Sequence, residues 1–265
     1  MMINIIVAGP RGKMGYEAIK MINKEENFRL VACLDRKNNG KTLKEVDGLP
    51  DLDVPIYENA EECFQAVDSA DVLVELTIPE VGYLHTKTAI QHNIRPVVGT
   101  TGFNSEQLEE LDELLTSKNI GGIIAPNFAI GAVLMMKFSQ MAAKYLPDVE
   151  IIEKHHDNKL DAPSGTAVKT AEMIRETREP KSQGHPNETE TITGARGAEL
   201  DGMRIHSLRL PGLVAHQEVI FGGPGQTLSI KHDSLNRASF MDGVRFSIER
   251  VFEIDGLVYG LEQLL

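Results

Sequence analysis

The segment Gly9-Pro10-Arg11-Gly12-Lys13-Met14-Gly15, directly after the apolar run Ile3–Ala8, constrains this chain more than any other feature. A strand that ends in regularly spaced glycines and runs into a helical period is the entrance to a βαβ unit. Glycine allows a tight turn and lets backbone amides approach a diphosphate, whose charge then rests at a helix N-terminus. The spacing is G-x-x-G-x-x-G rather than the commoner G-x-G-x-x-G. Gly9, Pro10, Arg11, Gly12, Lys13 and Met14 are therefore the expected cofactor contacts on this turn. The competing reading is a structural tight turn with no ligand. The preceding strand, the following helix and a later acidic residue favour the dinucleotide.

That acidic residue is Asp35, at the end of the next strand candidate, Leu30–Leu34. A carboxylate there accepts hydrogen bonds from adenine-ribose hydroxyls, which favours NADH. Arg36 and Lys37 follow at once and suit a 2′-phosphate, which favours NADPH, or they are solvated turn charges. Preference stays open, and dual use is the working expectation. Further strand candidates are Val72–Leu76, Pro96–Val98 and Gly122–Ala125, alternating with helical stretches at Ala60–Ala66, Tyr83–His92 and Ser105–Ser117, the last with Ser105 as N-cap. Open parallel sheets bind ligands at the carboxyl ends of their strands. Gly99, Thr100 and Thr101, and then Ala125, Pro126, Asn127 and Phe128, occupy two such ends and are expected to meet the cofactor. Taken singly, each is an ordinary turn.

The pattern changes after about Asn127. A helix is expected over Ile130–Leu146, a strand over Val149–Ile152, a helix over Thr166–Arg178 and a polar loop over Glu179–Gly202. Three closely spaced runs follow, Ile205–Leu210, His216–Phe221 and Thr227–His232, punctuated by Pro-Gly turns, which means an antiparallel or mixed sheet. A last helix is expected over Phe240–Ile254. The fold class is α/β, with a Rossmann-type parallel-sheet domain from 1–127 and 238–265. A smaller α+β substrate and oligomerisation domain with a mixed sheet occupies 128–237.

Composition narrows the partners. In 265 residues, Lys plus Arg number 27 and Asp plus Glu 39, a net charge of −12, which argues against a general binder of nucleic acid or anionic membrane, since either would need a basic face. Two cysteines, Cys33 and Cys63, make no disulfide framework, and a reduced, cytoplasmic setting is expected. The N-terminus carries no basic leader pattern. Asn119–Met136 is uncharged but broken by glycines and Pro126, so it reads as buried strand, loop and helix start, not a membrane span.

The most unusual stretch is Glu150-Ile-Ile-Glu-Lys-His-His-Asp-Asn-Lys-Leu-Asp-Ala-Pro-Ser-Gly-Thr166. His155 and His156 end a strand, Lys159 lies four residues beyond His155, and Ser164-Gly165-Thr166 opens a helix. Histidine exchanges protons near neutral pH, lysine acts as an acid or clamps a carboxylate, and a helix N-terminus binds anions. The bland reading is a surface loop with an ordinary serine N-cap. No metal is expected, because neither H-E-x-x-H nor a cysteine partner lies nearby. Ser164 is not a nucleophile, since the strand-Gly-x-Ser-x-Gly elbow is absent. His85, His92, His185, His206, His216 and His232 are scattered and read as structural or surface residues.

Together these motifs resemble the dihydrodipicolinate reductase family. The resemblance rests on Gly9-x-x-Gly-x-Met-Gly15, Gly99-Thr-Thr-Gly-Phe103, Ala125-Pro-Asn-Phe128 and the long segment from Glu150 to Ala167, in the family's order across essentially the whole chain. It implies that NADH or NADPH delivers hydride to C4 of 4-hydroxy-tetrahydrodipicolinate, with loss of the 4-hydroxyl as water, on the diaminopimelate route to lysine. It further implies His155 as proton donor and acceptor, Lys159 as second catalytic donor and His156 as a substrate contact. Gly165 and Thr166 would hold a substrate carboxylate, Thr101 would touch both ligands, and Arg237 would face the substrate. The family's acidic ribose contact is often glutamate; here it is Asp35, one methylene shorter. Family members are commonly homotetramers built through the sheet that Ile205 to His232 would form.

Two other readings share parts of this pattern. Another two-domain NAD(P)-dependent dehydrogenase of a small amino or keto acid would need the glycine turn but not the His-His-x-x-Lys segment. A non-catalytic NAD(P)-binding redox sensor would be expected to lose His155 or Lys159, and both are present.

Overall fold

A computed structural model describes residues 2–265. The apolar runs become short strands and the helical periods become the crossovers between them. β1 (Ile3–Ala8) leads through the glycine turn to α1 (Lys13–Ile22), β2 (Phe28–Leu34) and a two-residue β3 (Ile56–Tyr57). α2 (Ala60–Ala66), β4 (Val72–Glu75), α3 (Pro79–Gln91), β5 (Arg95–Val98), α4 (Ser105–Lys118) and β6 (Gly121–Ile124) follow. The α4 cap differs from expectation. Asn104, not Ser105, is the N-cap: it accepts from Gln107 N–H at 2.8 Å while Gln107 accepts from Asn104 N–H at 3.0 Å. That reciprocal capping box fixes the start one residue earlier.

α5 (Ile130–Ala143), β7 (Asp148–His155), α6 (Gly165–Arg175), β8 (Ala198–Leu200), β9 (Met203–Arg209), β10 (Ala215–Gly223) and β11 (Gln226–Ser234) form a second body. Its sheet order is β11-β10-β7-β9-β8, with β7 and β9 parallel and the other pairs antiparallel, a mixed sheet. Val149, Ile151 and Glu153 of β7 and Val219 and Phe221 of β10 face inward at period two. α5 and α6 cover that face. The polar stretch before β9 is not all loop, since it contributes the short edge strand β8.

After a 3-10 turn at Arg237–Phe240 the chain returns as α7 (Met241–Arg250) and β12 (Gly256–Tyr259). The expected last helix is shorter, and its tail gives way to a strand beside β6. The all-parallel sheet is ordered β12-β6-β5-β4-β1-β2-β3. Ile5, Ile6, Val7, Leu73, Val74, Val97 and Val98 are buried in it, as strands covered on both faces require. This is the expected Rossmann-type sheet with a smaller mixed-sheet partner.

The chain divides into one unit up to Phe128 that resumes at Arg237–Leu264, and a second spanning Ala129–Asn236. Each boundary lies one residue from the expected one. Phe128 is 97% buried within the first unit, and Arg237 opens a turn that packs on α1 and α7. Among the described residues no helix is long and apolar enough to cross a membrane.

Candidate active site

In the first unit the strand order reverses between β1 and β4, and the two crossovers leave a crevice at the carboxyl ends there. The expected cofactor residues lie at those ends. Gly9 follows β1 with φ +85°, and Gly12 is the N-cap of α1. A Cβ on Gly15 would fall inside van der Waals contact with the Gly9 carbonyl, so the first turn of α1 lies directly on the loop. No side chain caps α1 and no acidic residue occupies its first turn. Its leading amides therefore lack a side-chain acceptor, and a diphosphate would supply one. Pro10 is buried, Met14 half-buried, and Lys13 and Arg36 are exposed cations. These residues fit a dinucleotide.

Asp35 follows β2 and is nearly buried. Arg11 grips both its oxygens, Nε on Oδ2 and Nη2 on Oδ1, each at 2.7 Å, and Lys37 N–H donates to Oδ1 at 2.8 Å. The Asp35 hydrogen bond raises the Arg11 guanidinium above its ordinary value. The carboxylate expected at the ribose thus stands beside a cation suited to a phosphate.

Gly99 follows β5, and a Cβ there would lie 2.7 Å from Leu76 Cδ2 and 2.8 Å from Phe128 Cε2. Ala125 and Phe128 are buried after β6, while Pro126 and Thr101 are exposed and Asn127 half-buried. Beneath this edge lies a group that the motif reading passed over. Glu75, wholly buried at the end of β4, accepts from Thr77 N–H at 2.7 Å, from the Thr77 hydroxyl and from Thr100 Oγ1 at 3.5 Å. Its other oxygen meets His85 Nδ1 at 2.7 Å. One carboxylate thereby joins β4, α3 and the Gly99–Gly102 loop. His85 is a structural residue, but of the edge where the expected cofactor residues lie.

In the second unit β7 carries His155 to its carboxyl end, and residues 156–164 lead to α6. Ser164 is the N-cap, its hydroxyl accepting from Ala167 N–H at 3.3 Å. Gly165 is exposed with open space around its Cα, and Thr166 is half-buried in the first turn. Lys159 Nζ reaches Asp161 Oδ1 at 2.7 Å, which holds that carboxyl below the ordinary range. His156 is exposed beside them.

His155 has a partner that the sequence held in plain view, Glu153, two residues earlier on the same strand face. His155 Nδ1 lies 2.5 Å from Glu153 Oε2. Arg209 of β9 donates Nη1 to Glu153 Oε2 at 2.9 Å and Nη2 to Oε1 at 2.7 Å. Ser164 N–H donates to Oε1 at 3.2 Å. Burial would raise the Glu153 carboxyl, but hydrogen bonds from Arg209, Ser207 and His155 outweigh it and hold it below the ordinary range. Burial pushes His155 below its usual value of 6.5; Lys159 and Arg209 add to this and Glu153 opposes it. Period-two spacing could have found Glu153; nothing local announces Arg209, 56 residues away.

Arg237 belongs to the first unit's Arg237–Phe240 turn, not to the second unit where it was expected, and its side chain is exposed. Among the described residues no group of three His, Cys, Asp or Glu side chains converges as metal ligands. Cys33 and Cys63 are unpaired, and burial pushes both thiols up, Cys63 to about 12.

Comparison with known proteins agrees over the full chain. Residues 3–128 match the family description "Dihydrodipicolinate reductase, N-terminus", and 131–265 match "Dihydrodipicolinate reductase, C-terminus". A 4-hydroxy-tetrahydrodipicolinate reductase of Oceanobacillus iheyensis is 68% identical, covering 100% of both chains. One of Bacillus cytotoxicus is 60% identical over 99% of this chain and 98% of its own. The dipicolinate-bound dihydrodipicolinate reductase of Paenisporosarcina sp. TG-14 superposes with a TM-score of 0.92, 56% identity and complete coverage of both chains. An amine dehydrogenase of Mycobacterium smegmatis, covering 97% of this chain and 94% of its own, shares the fold alone, at 14% identity and a TM-score of 0.66. With both halves matched and full-length relatives this similar, the chain is an oxidoreductase that belongs to the dihydrodipicolinate reductase family.

Proposed function

We propose that this chain reduces 4-hydroxy-tetrahydrodipicolinate to tetrahydrodipicolinate in the diaminopimelate route to lysine, with NADH or NADPH as reductant. The observation that carries the reading is His155, oriented by a buried carboxylate, beside Lys159 and the open first turn of α6. The 4-hydroxyl and a hydrogen of the neighbouring carbon leave as water, which makes C4 unsaturated, and the nicotinamide, when bound, would supply hydride to that carbon.

The chain's own residues handle charge and protons. The turn from Gly9 to Met14 receives the diphosphate at the start of α1, and Asp35, Arg11 and Arg36 meet the adenine ribose or its phosphate. Gly99 to Thr101 and Ala125 to Phe128 bound the nicotinamide. In the second unit the amides of Gly165 and Thr166 hold one substrate carboxylate, and His156 contacts the substrate. Addition at C4 leaves electron density conjugated along the ring, and protonation of the neighbouring carbon quenches it. His155, once protonated on both ring nitrogens, delivers that proton from Nε2, the nitrogen opposite Glu153, with Lys159 as second donor. Arg237, in the first unit's 3-10 turn, is a further substrate contact that the family resemblance implies.

The chain works in a reducing, cytoplasmic compartment, a reading supported by its two buried, unpaired cysteines. It assembles as a homotetramer through the face of the β11-β10-β7-β9-β8 sheet opposite α5 and α6, where Ile152 and Ile220 stand half-exposed among charged residues. Light scattering tests the assembly. The activity is tested by NAD(P)H oxidation that depends on freshly prepared substrate; oxidation indifferent to that substrate contradicts the proposal.

A further inference from the structure

We infer that Glu153 is the positioning residue of this site, a single buried carboxylate that sets both the tautomer of His155 and the start of α6. The inference rests on the proposed role of His155 and adds a residue to it. A charge with no exposed surface in a protein interior persists only when its lone pairs are filled, and those of Glu153 are filled from four directions. Arg209 comes from β9, Ser207 from the same strand, Ser164 from the N-cap of α6, and His155 from two residues along β7.

The consequence for His155 is chemical. A carboxylate kept ionised by Arg209 can only accept, so Nδ1 must carry the proton. Nε2 is left as the nitrogen that exchanges a proton with substrate. A base whose second nitrogen is oriented by a third group is a recurring device of proton-transfer sites. The same oxygen that takes Arg209 Nη2 takes Ser164 N–H, so a displacement of Glu153 would move the histidine and the helix start together.

The charges facing His155 are Glu153 on its own strand, Arg209 from β9, and Lys159, with its partner Asp161, from the loop before α6. From β10 its neighbour in register is Ala215, which is uncharged. Removing either partner of the buried pair therefore moves the histidine in opposite directions. Loss of the Glu153 charge leaves two cations and lowers its proton affinity. Loss of the Arg209 charge leaves Lys159 as the remaining cation against the carboxylate and raises it.

Glu153→Gln makes a sharper statement. Its amide oxygen belongs at the Oε1 position, which faces two fixed donors, Arg209 Nη2 and Ser164 N–H, whereas Oε2 faces one, Arg209 Nη1, and a histidine able to change tautomer. The NH₂ group then faces His155 Nδ1, which must become an acceptor, and the proton moves to Nε2. Nitrogen-15 spectra of the full-length protein, labelled at histidine, read this tautomer without substrate. The expected result is Nδ1–H in the wild type and Nε2–H in E153Q. Turnover in E153Q should fall about 10²-fold or more, with the NAD(P)H KM within about twofold. The His155-dependent limb of kcat/KM should move to lower pH in E153Q and to higher pH in R209Q. Glu153→Asp, which keeps the charge, should retain Nδ1–H. If E153Q does not fold, E153D and R209Q carry the test. An unchanged tautomer in E153Q, or limbs that stay in place or move the same way, would overturn the inference. Because the tautomer is read without turnover, failure of the substrate assignment would remain distinguishable from failure of this one.

Discussion

Arg11 holds both carboxylate oxygens of Asp35, at 2.7 Å each. The residue suited to a ribose and the residue suited to a phosphate are thus bound to each other, and each cofactor would engage a different half of the pair. NADH would add hydroxyl donors to a carboxylate already accepting from Arg11 and from Lys37 N–H. NADPH would bring a dianion to compete with Asp35 for the guanidinium. Hydrogen bonds to a charged group contribute roughly 1.5–3 kcal/mol, about 10- to 100-fold in affinity. Arg11→Ala should therefore raise the NADPH KM by about tenfold and leave the NADH KM within about threefold. Asp35→Ala should do the reverse. Steady-state KM values for both cofactors with each variant check this.

A methyl group on Gly15 has nowhere to go, because the Gly9 carbonyl occupies its place. That atom is backbone, so relief requires the turn to open. Gly15→Ala should destabilise the protein by about 1–3 kcal/mol, the usual cost of overpacking. It should also weaken NAD(P)H binding by distorting the amides at the start of α1. Denaturant melts and fluorescence titration with NADH measure the two effects.

Much of this was legible because the chemistry was local. The strands Ile3–Ala8 and Ala60–Ala66 helix coincide with their apolar patterns, and the glycine turn, both strand-end loops and the His155–Thr166 segment were marked by residue type. What escaped was decided by distance or by competition between neighbours. β12 is only four residues long and follows a helical stretch, and its pairing with β6 makes it a strand. Asn104 and Ser105 are both good N-caps, and the Gln107 contact chooses between them. His85 looked scattered because Glu75 lies across a strand end and a helix turn. Arg237 sits at a chain return, where residue order does not reveal which unit a side chain joins.

Lys159 and His155 are partly enclosed polar groups rather than core residues, with side chains 22% and 16% exposed. Their removal should spare the fold. His155→Ala and Lys159→Ala should each lower turnover by about 10²- to 10⁴-fold, the range for a positioned acid or base. Affinity for NAD(P)H, whose expected contacts lie in the other unit, should stay within about twofold. Near-normal turnover in both variants would remove these residues from the mechanism.

Binding of a dicarboxylate should bring a proton with it. Burial, Lys159 and Arg209 hold His155 below 6.5 in the ligand-free protein. An anion beside the ring favours its charged form and raises that value. Between the free and bound values the complex takes up a proton, so affinity falls as pH rises through that window. Calorimetry of pyridine-2,6-dicarboxylate binding in two buffers of different ionisation heat should show this uptake, and His155→Ala should abolish it. Equal heats for the wild type across that window would contradict the placement of the anion beside His155.

Hydride transfer to the substrate is followed through the hydrogen itself. NADH or NADPH carrying deuterium at the transferable C4 position is incubated with the enzyme and fresh 4-hydroxy-tetrahydrodipicolinate, and the product is read by mass spectrometry and proton NMR. One deuterium per product molecule is expected, at ring C4, with the proton on the neighbouring carbon drawn from solvent. Product without deuterium, or cofactor oxidation without reduced product, would contradict that transfer.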